Sequence, residues 1–272
     1  MEQFIYGTAW KEDETARLVE LAVRQGFRAI DAANQRKHYH EAAVGEGIAA
    51  AVAAGVCKKG DLFLQTKFTF RRGQDQRLPY DPAAPIARQV EQSFASSLEH
   101  LGVATIDSYV LHGPSQGEGL ASDDWEAWRA MEALYDSGAA KALGISNVSL
   151  EQLDLLCQQA RVKPAWVQNR CFAVTGWDFW VRDYCRVNGI TYQGFSLLTA
   201  NQPVLRSAEI AKLAAAHDRT PAQIIFRFAI DVGMAPLTGT SDPGHMRQDL
   251  AVVDFHLDPA EVERIERMAV RR

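Results

Sequence analysis

Cysteine is scarce in this chain: four among 272 residues, Cys57, Cys157, Cys171 and Cys185, far apart and with no C-x-x-C pair. That argues against a disulfide framework or a cysteine zinc cluster and makes a reducing cytoplasm the expected setting. Basic blocks are missing too. The longest is Arg36-Lys37-His38 and the net charge is −5, so nucleic acid is not an expected partner, because phosphate binding needs clustered Lys and Arg. No apolar run is long enough to span a bilayer. The Ala-rich stretch Gly47–Val56 has ten residues and reads as a buried helix. Met1-Glu2-Gln3-Phe4 lacks the basic and apolar segments of a secretory leader. No G-x-G-x-x-G follows the first β-rich run, which argues against a doubly wound sheet. With 47% hydrophobic and 23% charged residues, disorder and fibrous repeats are excluded.

What is present is a structural beat. An amphipathic helical stretch ends near Gly or Pro, a short β-rich run follows, and that run stops at a polar residue. Leu18, Leu21 and Ala22 have helical spacing, and Gly26 supplies a left-handed cap. Phe27–Ile30 then leads to Asp31. The same beat carries Leu62–Leu64 into Thr66-Lys67, Ile106–Leu111 into His112, and Ala142–Ile145 into Ser146-Asn147. Trp166-Val167 ends at Gln168, Ile190–Tyr192 at Gly194-Phe195-Ser196, and Met234–Leu237 at Thr238-Gly239-Thr240. With Phe4–Tyr6 before Gly7-Thr8 there are eight β-rich runs. Eight strand–helix units over roughly 250 residues predict a single-domain (β/α)8 TIM barrel over residues 1–272. Right-handed crossovers make all strands parallel, so the polar strand ends converge at one mouth. Two helical segments, Ser207–Ala215 and Pro221–Val232, precede the last strand. Pro243–Val252 and Pro259–Ala269 follow it.

Asp31, Lys67 and His112 end three consecutive strands. An Asp beside a Lys predicts an ion pair, a Lys beside a phenol is expected to lower that phenol's pKa, and a His can hold a carbonyl oxygen. Tyr39, in the loop after Asp31, supplies the phenol. Together these side chains would protonate an oxygen as negative charge develops on it.

The ordered stretches resemble the aldo/keto reductase superfamily over nearly the whole chain. They include Gly7-Thr8-Ala9-Trp10, Asp31-Ala32-Ala33, Phe63–Lys67, Ile106–Pro114, Gly144–Asn147, Val167-Gln168 and Gly194-Phe195-Ser196. The resemblance implies reduction of aldehydes or ketones with NADP or NAD, by a Tyr-Asp-Lys-His tetrad. Asp31, Lys67 and His112 match the tetrad directly. The tyrosine does not: five residues after Asp31 stands Arg36, and three before Glu41 stands His38. The loop reads as lengthened by about three residues, with Tyr39 as the acid and His38 as the alternative.

By the same resemblance, Ser146, Asn147 and Gln168 would hold the nicotinamide carboxamide, and Phe195 would stack on the ring or serve as a barrel-core aromatic. Ser196 and Leu198 would cover the pyrophosphate. Gly7, Thr8, Thr238, Gly239, Thr240, His245 and Asp249 complete the implied dinucleotide contacts. Where the family carries a Lys-Ser pair and a following Arg for a 2′-phosphate, this chain has Gly239-Thr240 and His245. Preference for NADP is therefore expected to be weak, unless Arg247 takes the role. The pocket is expected to be aromatic and largely uncharged, walled by Trp10, His38, Phe68 and Trp125, with Phe70 as a further candidate. Trp177 and Trp180, three apart, fit one buried helix face equally well. The family's N-terminal hairpin and C-terminal tail are expected to be absent or short. Two other classes fit the residues less well: a lyase forming a Schiff base at Lys67, and a non-catalytic nucleotide-binding sensor or partner subunit.

Overall fold

The eight β-rich runs close into one ring. In a computed structural model describing residues 4–269, eight parallel strands pair in chain order and β8 returns to β1. Met1-Glu2-Gln3, read above for a leader, lies outside the described residues. The strands are β1 (Ile5–Gly7), β2 (Ala29–Asp31), β3 (Phe63–Phe68), β4 (Ser108–Leu111), β5 (Leu143–Ser146), β6 (Trp166–Arg170), β7 (Thr191–Phe195) and β8 (Met234–Thr238). The helices are α1 (Thr15–Gln25), α2 (Glu41–Ala53), α3 (Ile86–Leu101), α4 (Ser122–Asp136), α5 (Leu150–Gln159), α6 (Phe179–Val187), α7 (Gln202–Leu205), α8 (Ala208–His217), α9 (Pro221–Asp231), α10 (Pro243–Leu250) and α11 (Pro259–Arg267). Among the described residues no helix is long and apolar enough to cross a membrane.

Alternation along each strand sorts the side chains. One set, including Tyr6, Ile30, Leu64, Tyr109, Ile145, Val167 and Tyr192, packs under the helices in the main apolar core. The other set points into the barrel. There Ile5, Ala29, Ala235 and Leu237 form a small apolar cluster touched by Phe63 and Phe195. Above it the interior turns polar, with Gln65, Gln168 and Gln193 all buried.

Caps written in the sequence start several helices. Ser149, Thr220 and Asp258 each accept a hydrogen bond from the backbone N–H three residues on. Gln152, Gln223 and Glu261 reach back to close the box. In α2 the glycines act by close approach. A methyl group at Gly47 would strike Ala16 O and come within 2.8 Å of Val19 Cβ, while one at Gly45 would strike His100 O. Glycine thus lets α2 lie directly on α1 and on the end of α3.

The expected element boundaries need adjusting. β4 starts at Ser108, and Ile106 forms only an isolated bridge to Ala140. β3 runs one residue past Lys67 and β6 two past Gln168, because both find hydrogen-bond partners in β4 and β7. Trp177 and Trp180 do not share a helix face. Trp177 precedes α6, is fully buried and donates to Ile265 O, while Trp180 is 70% exposed.

Candidate active site

The C-terminal ends of the strands open into a cavity of about 1060 Å³. β2, β3 and β4 bring three charged or titratable groups to one side of it. Lys67 Nζ donates to both oxygens of Asp31 at 2.7 Å and to Ala32 O at 2.8 Å. Lys67 is fully buried and does not line the cavity. An ammonium has three donors, so every one is engaged. This corrects the expected use of the ammonium. Lys67 Nζ lies over the Tyr39 ring, 5.1 Å from its centre, and makes no hydrogen bond to the phenol. Burial pushes the Tyr39 phenol above its ordinary pKa, with the Asp31 charge adding to the rise. Burial also pulls the Lys67 ammonium down, against the pull of Asp31. With its three donors engaged and its side chain fully buried, Lys67 presents no free amine to the cavity.

The loop from Asn34 to His40 reaches the site by folding on itself. The N–H groups of His38 and Tyr39 both donate to Gln35 O, and Gln35 Nε2 donates to Gly73 O. Asn34 Nδ2 ties the loop to Ser93 O on α3. At the start of α2, buried Glu41 accepts from Thr66, Ser97 and His100. These anchors put Tyr39 and His38 on the cavity wall. The Tyr39 ring stands edge-on to His112, with centres 5.9 Å apart. His38 instead stacks on Trp10 at 4.0 Å. Trp10 is 70% exposed at the mouth.

His112 meets Thr69 Oγ1 through Nδ1 at 2.7 Å. A hydroxyl donating to Nδ1 selects the tautomer that carries its proton on Nε2. Burial, with the charges of Lys67 and His38, pushes His112 well below its ordinary pKa, so the ring is neutral at pH 7. Neither Tyr39 Oη nor His112 Nε2 has a hydrogen-bond partner among the described residues, and both residues line the cavity.

The cavity runs on past β5 to β8. Ser146, Asn147, Gln168, Phe195, Ser196, Leu198, Thr238, Gly239, Thr240, His245 and Asp249 line it, as does Gly7. Asn147 Nδ2 donates to His112 O at 2.8 Å and to Ser146 Oγ at 3.1 Å, leaving Oδ1 free. Phe195 lines the cavity and touches the inner apolar cluster. Asp249 accepts from Thr238 Oγ1 at 2.8 Å.

Several expected residues lie elsewhere. Thr8 is buried beneath the surface, its hydroxyl donating to Asp31 O at 2.8 Å. Phe68 and Phe70 pack with Tyr80 in the outer core. Trp125 also packs there and does not reach the cavity. Arg247 turns to Gln25 on α1 and does not line the cavity. The cavity is not uncharged either. Arg170 and Arg206 line it, and neither pairs with a carboxylate among the described residues. Arg170 donates to Ser196 Oγ at 3.2 Å.

Sequence reasoning passed over Thr69, Gln65, Gln193, Arg170 and Arg206. A signal existed for three of them. Gln65 stands two before Lys67, Gln193 two before Phe195 and Arg170 two after Gln168, which is the inward face of a strand. Lys11, also passed over, donates from Nζ to Gly239 O at 2.7 Å, and burial lowers its pKa to about 8.

The aldo/keto reductase family model matches residues 3–270. The NAD(P)H-dependent D-xylose reductase of Pachysolen tannophilus is 27% identical over 295 residues, covering 95% of this chain and 87% of that protein. The glyoxal reductase of Bacillus subtilis (strain 168) is 28% identical over 254 residues, covering 93% and 83%. The crystal structure of an aldo-keto reductase from a Medee basin deep-sea metagenome library superposes with a TM-score of 0.83, at 25% identity, over 100% of this chain and 94% of that one. With its eight-stranded closed barrel and a family match along nearly its whole length, the chain belongs to the aldo/keto reductase family.

Proposed function

We propose that this protein reduces small aldehydes or ketones to alcohols, with a reduced nicotinamide dinucleotide as hydride source and Tyr39 as proton donor. The observation that carries the reading is the pair of unengaged polar atoms on one cavity wall, Tyr39 Oη and His112 Nε2, on rings 5.9 Å apart. A carbonyl oxygen seated between them accepts from both. His112, neutral and fixed by Thr69, orients that oxygen. Tyr39 stays protonated across the neutral range because its pKa is raised, so it reaches the reaction with a proton to give. Asp31 and Lys67 form the buried floor beneath the phenol.

The chain's polar atoms fit a dinucleotide laid along the cavity. Asn147 Oδ1 and Gln168 Oε1 are free acceptors for a carboxamide N–H, and the Phe195 ring offers a stacking face. Arg206 and Arg170 are cations without carboxylate partners, suited to phosphates. When bound there, the dinucleotide supplies the hydride that reduces the carbonyl carbon. The names of the xylose and glyoxal reductases point to small, polar aldehydes, and the exposed Trp10 leaves the mouth open to them.

The test is Tyr39→Phe, assayed by NADH or NADPH oxidation with glyoxal and D-xylose. General-acid loss lowers kcat by roughly 10²- to 10⁴-fold, and dinucleotide affinity by fluorescence titration is expected to stay near wild type. Activity kept within a factor of about ten would displace Tyr39 from this role. A matching loss in His38→Gln would then give it to His38.

A further inference from the structure

At the cavity floor, four side chains from four strands form one hydrogen-bonded set: Asp31 on β2 and Gln168 on β6, which line the cavity, and Gln65 on β3 and Gln193 on β7 beneath them. All are at most 3% exposed. Asp31 Oδ1 accepts from Gln65 Nε2 at 2.7 Å and from Gln168 Nε2 at 3.0 Å. Both nitrogens also donate to Gln193 Oε1, at 2.8 and 2.9 Å. Gln193 Nε2 in turn donates to Gln65 Oε1 at 3.0 Å, and Ser108 Oγ donates to the same oxygen at 2.9 Å.

The orientation of all three amides follows from one charge. An ionised carboxylate only accepts, so the atoms facing Asp31 from Gln65 and Gln168 must be nitrogens. Those nitrogens must then meet an oxygen of Gln193, which turns the Gln193 nitrogen toward Gln65 Oε1. No second assignment satisfies every contact. Gln168, which with Asp31 lines the cavity, is left with Oε1 as its unengaged atom.

We propose that Gln193, backed by Gln65, is a positioning residue. It holds Gln168 with its oxygen toward the cavity, so that the site receives a ligand N–H and not a ligand carbonyl. It also ties that recognition group to the carboxylate paired with Lys67. The identity of the ligand N–H as a nicotinamide carboxamide rests on the function proposed above; the locked amide does not.

The experiment therefore has two arms. In the first, side-chain amide exchange of Gln168 is followed by NMR in glutamine-labelled protein without ligand. Gln193→Met keeps the volume and removes both polar atoms, and exchange at Gln168 is expected to quicken about tenfold. Gln193→Glu keeps an acceptor for Gln168, and exchange is expected to stay within about threefold of wild type. A role in packing alone ranks the two the other way, since Glu buries a second carboxylate beside Asp31 while Met fills the space. Exchange unchanged in Gln193→Met, or faster in Gln193→Glu than in Gln193→Met, overturns the proposal. If Gln193→Met does not fold, Gln65→Met reads the same set, with an expected gain of about threefold at Gln168 and no gain as the overturning result. In the second arm NADH and NADPH are titrated by fluorescence. Binding about tenfold weaker in Gln193→Met than in wild type supports the coupling. Wild type that binds neither dinucleotide overturns the proposed function and leaves the exchange order to decide the amide lock.

Discussion

Asp249 shows what one buried carboxyl does to pH response. Burial raises its pKa from 3.8 to about 6, against the hydroxyl of Thr238 and the charge of His245. Between those values the folded chain holds a proton that the unfolded chain has lost. The stabilising contribution is complete below the unfolded pKa and is lost as pH rises through the folded one. Asp249→Asn keeps an acceptor for Thr238 and carries no charge. It is expected to exceed wild type by on the order of 1–3 kcal/mol at pH 7 and by little at pH 4, measured by urea unfolding. An equal difference at both pH values would show that Asp249 is not titrating. Single residues also mark how much of the site was legible. Asp31 and His112 stood out because polar groups ending β-rich runs have few other reasons to be there. What Lys67 does with its protons depends on Asp31 and on a backbone carbonyl, neither of which its own strand encodes. Thr69 carries no signal of its own, because its partner His112, 2.7 Å away, stands 43 positions further along the chain.

At the scale of elements, two effects of opposite sign meet at Gly47. Replacing a helical glycine by alanine favours the helix by up to about 1 kcal/mol. Overpacking a tight contact costs roughly 1–3 kcal/mol. With Ala16 O and Val19 Cβ so close, the steric effect wins. Gly47→Ala is expected to lower the urea midpoint, and an unchanged midpoint would mean that α1 and α2 separate freely. The starts of α9, α10 and α11 were legible because a proline opens each, at Pro221, Pro243 and Pro259. Strand ends were not, since the reach of β6 to Arg170 depends on β7 lying beside it. The loop from Asn34 to His40 is intermediate. Its length was countable, but its anchors on Ser93 and Gly73 come from distant segments.

For the whole molecule, the barrel was legible because strand count, spacing and crossover handedness constrain one another. With the dinucleotide laid along the cavity as proposed, cofactor preference is decided at the cavity's far end. A 2′-phosphate seeks Arg or Lys. There stand Gly239, Thr240 and His245, beside Asp242, whose carboxylate is held below its ordinary pKa by the His245 N–H. Arg247 faces α1 instead. NADH and NADPH are therefore expected to bind with constants less than 100-fold apart, and NADPH tighter by about 100-fold or more, some 2.7 kcal/mol, would refute this.

The ring closes where the first strand meets the eighth. Ile5 pairs with Leu237, Tyr6 Oη donates to Thr240 O and Lys11 Nζ to Gly239 O. On the ribosome, then, a nascent chain displays its phenol and imidazole long before it owns a complete binding cleft. The wall carrying Gly239 and Thr240 is made 228 positions after Lys11, so the cleft stays open on that side until β8 has emerged.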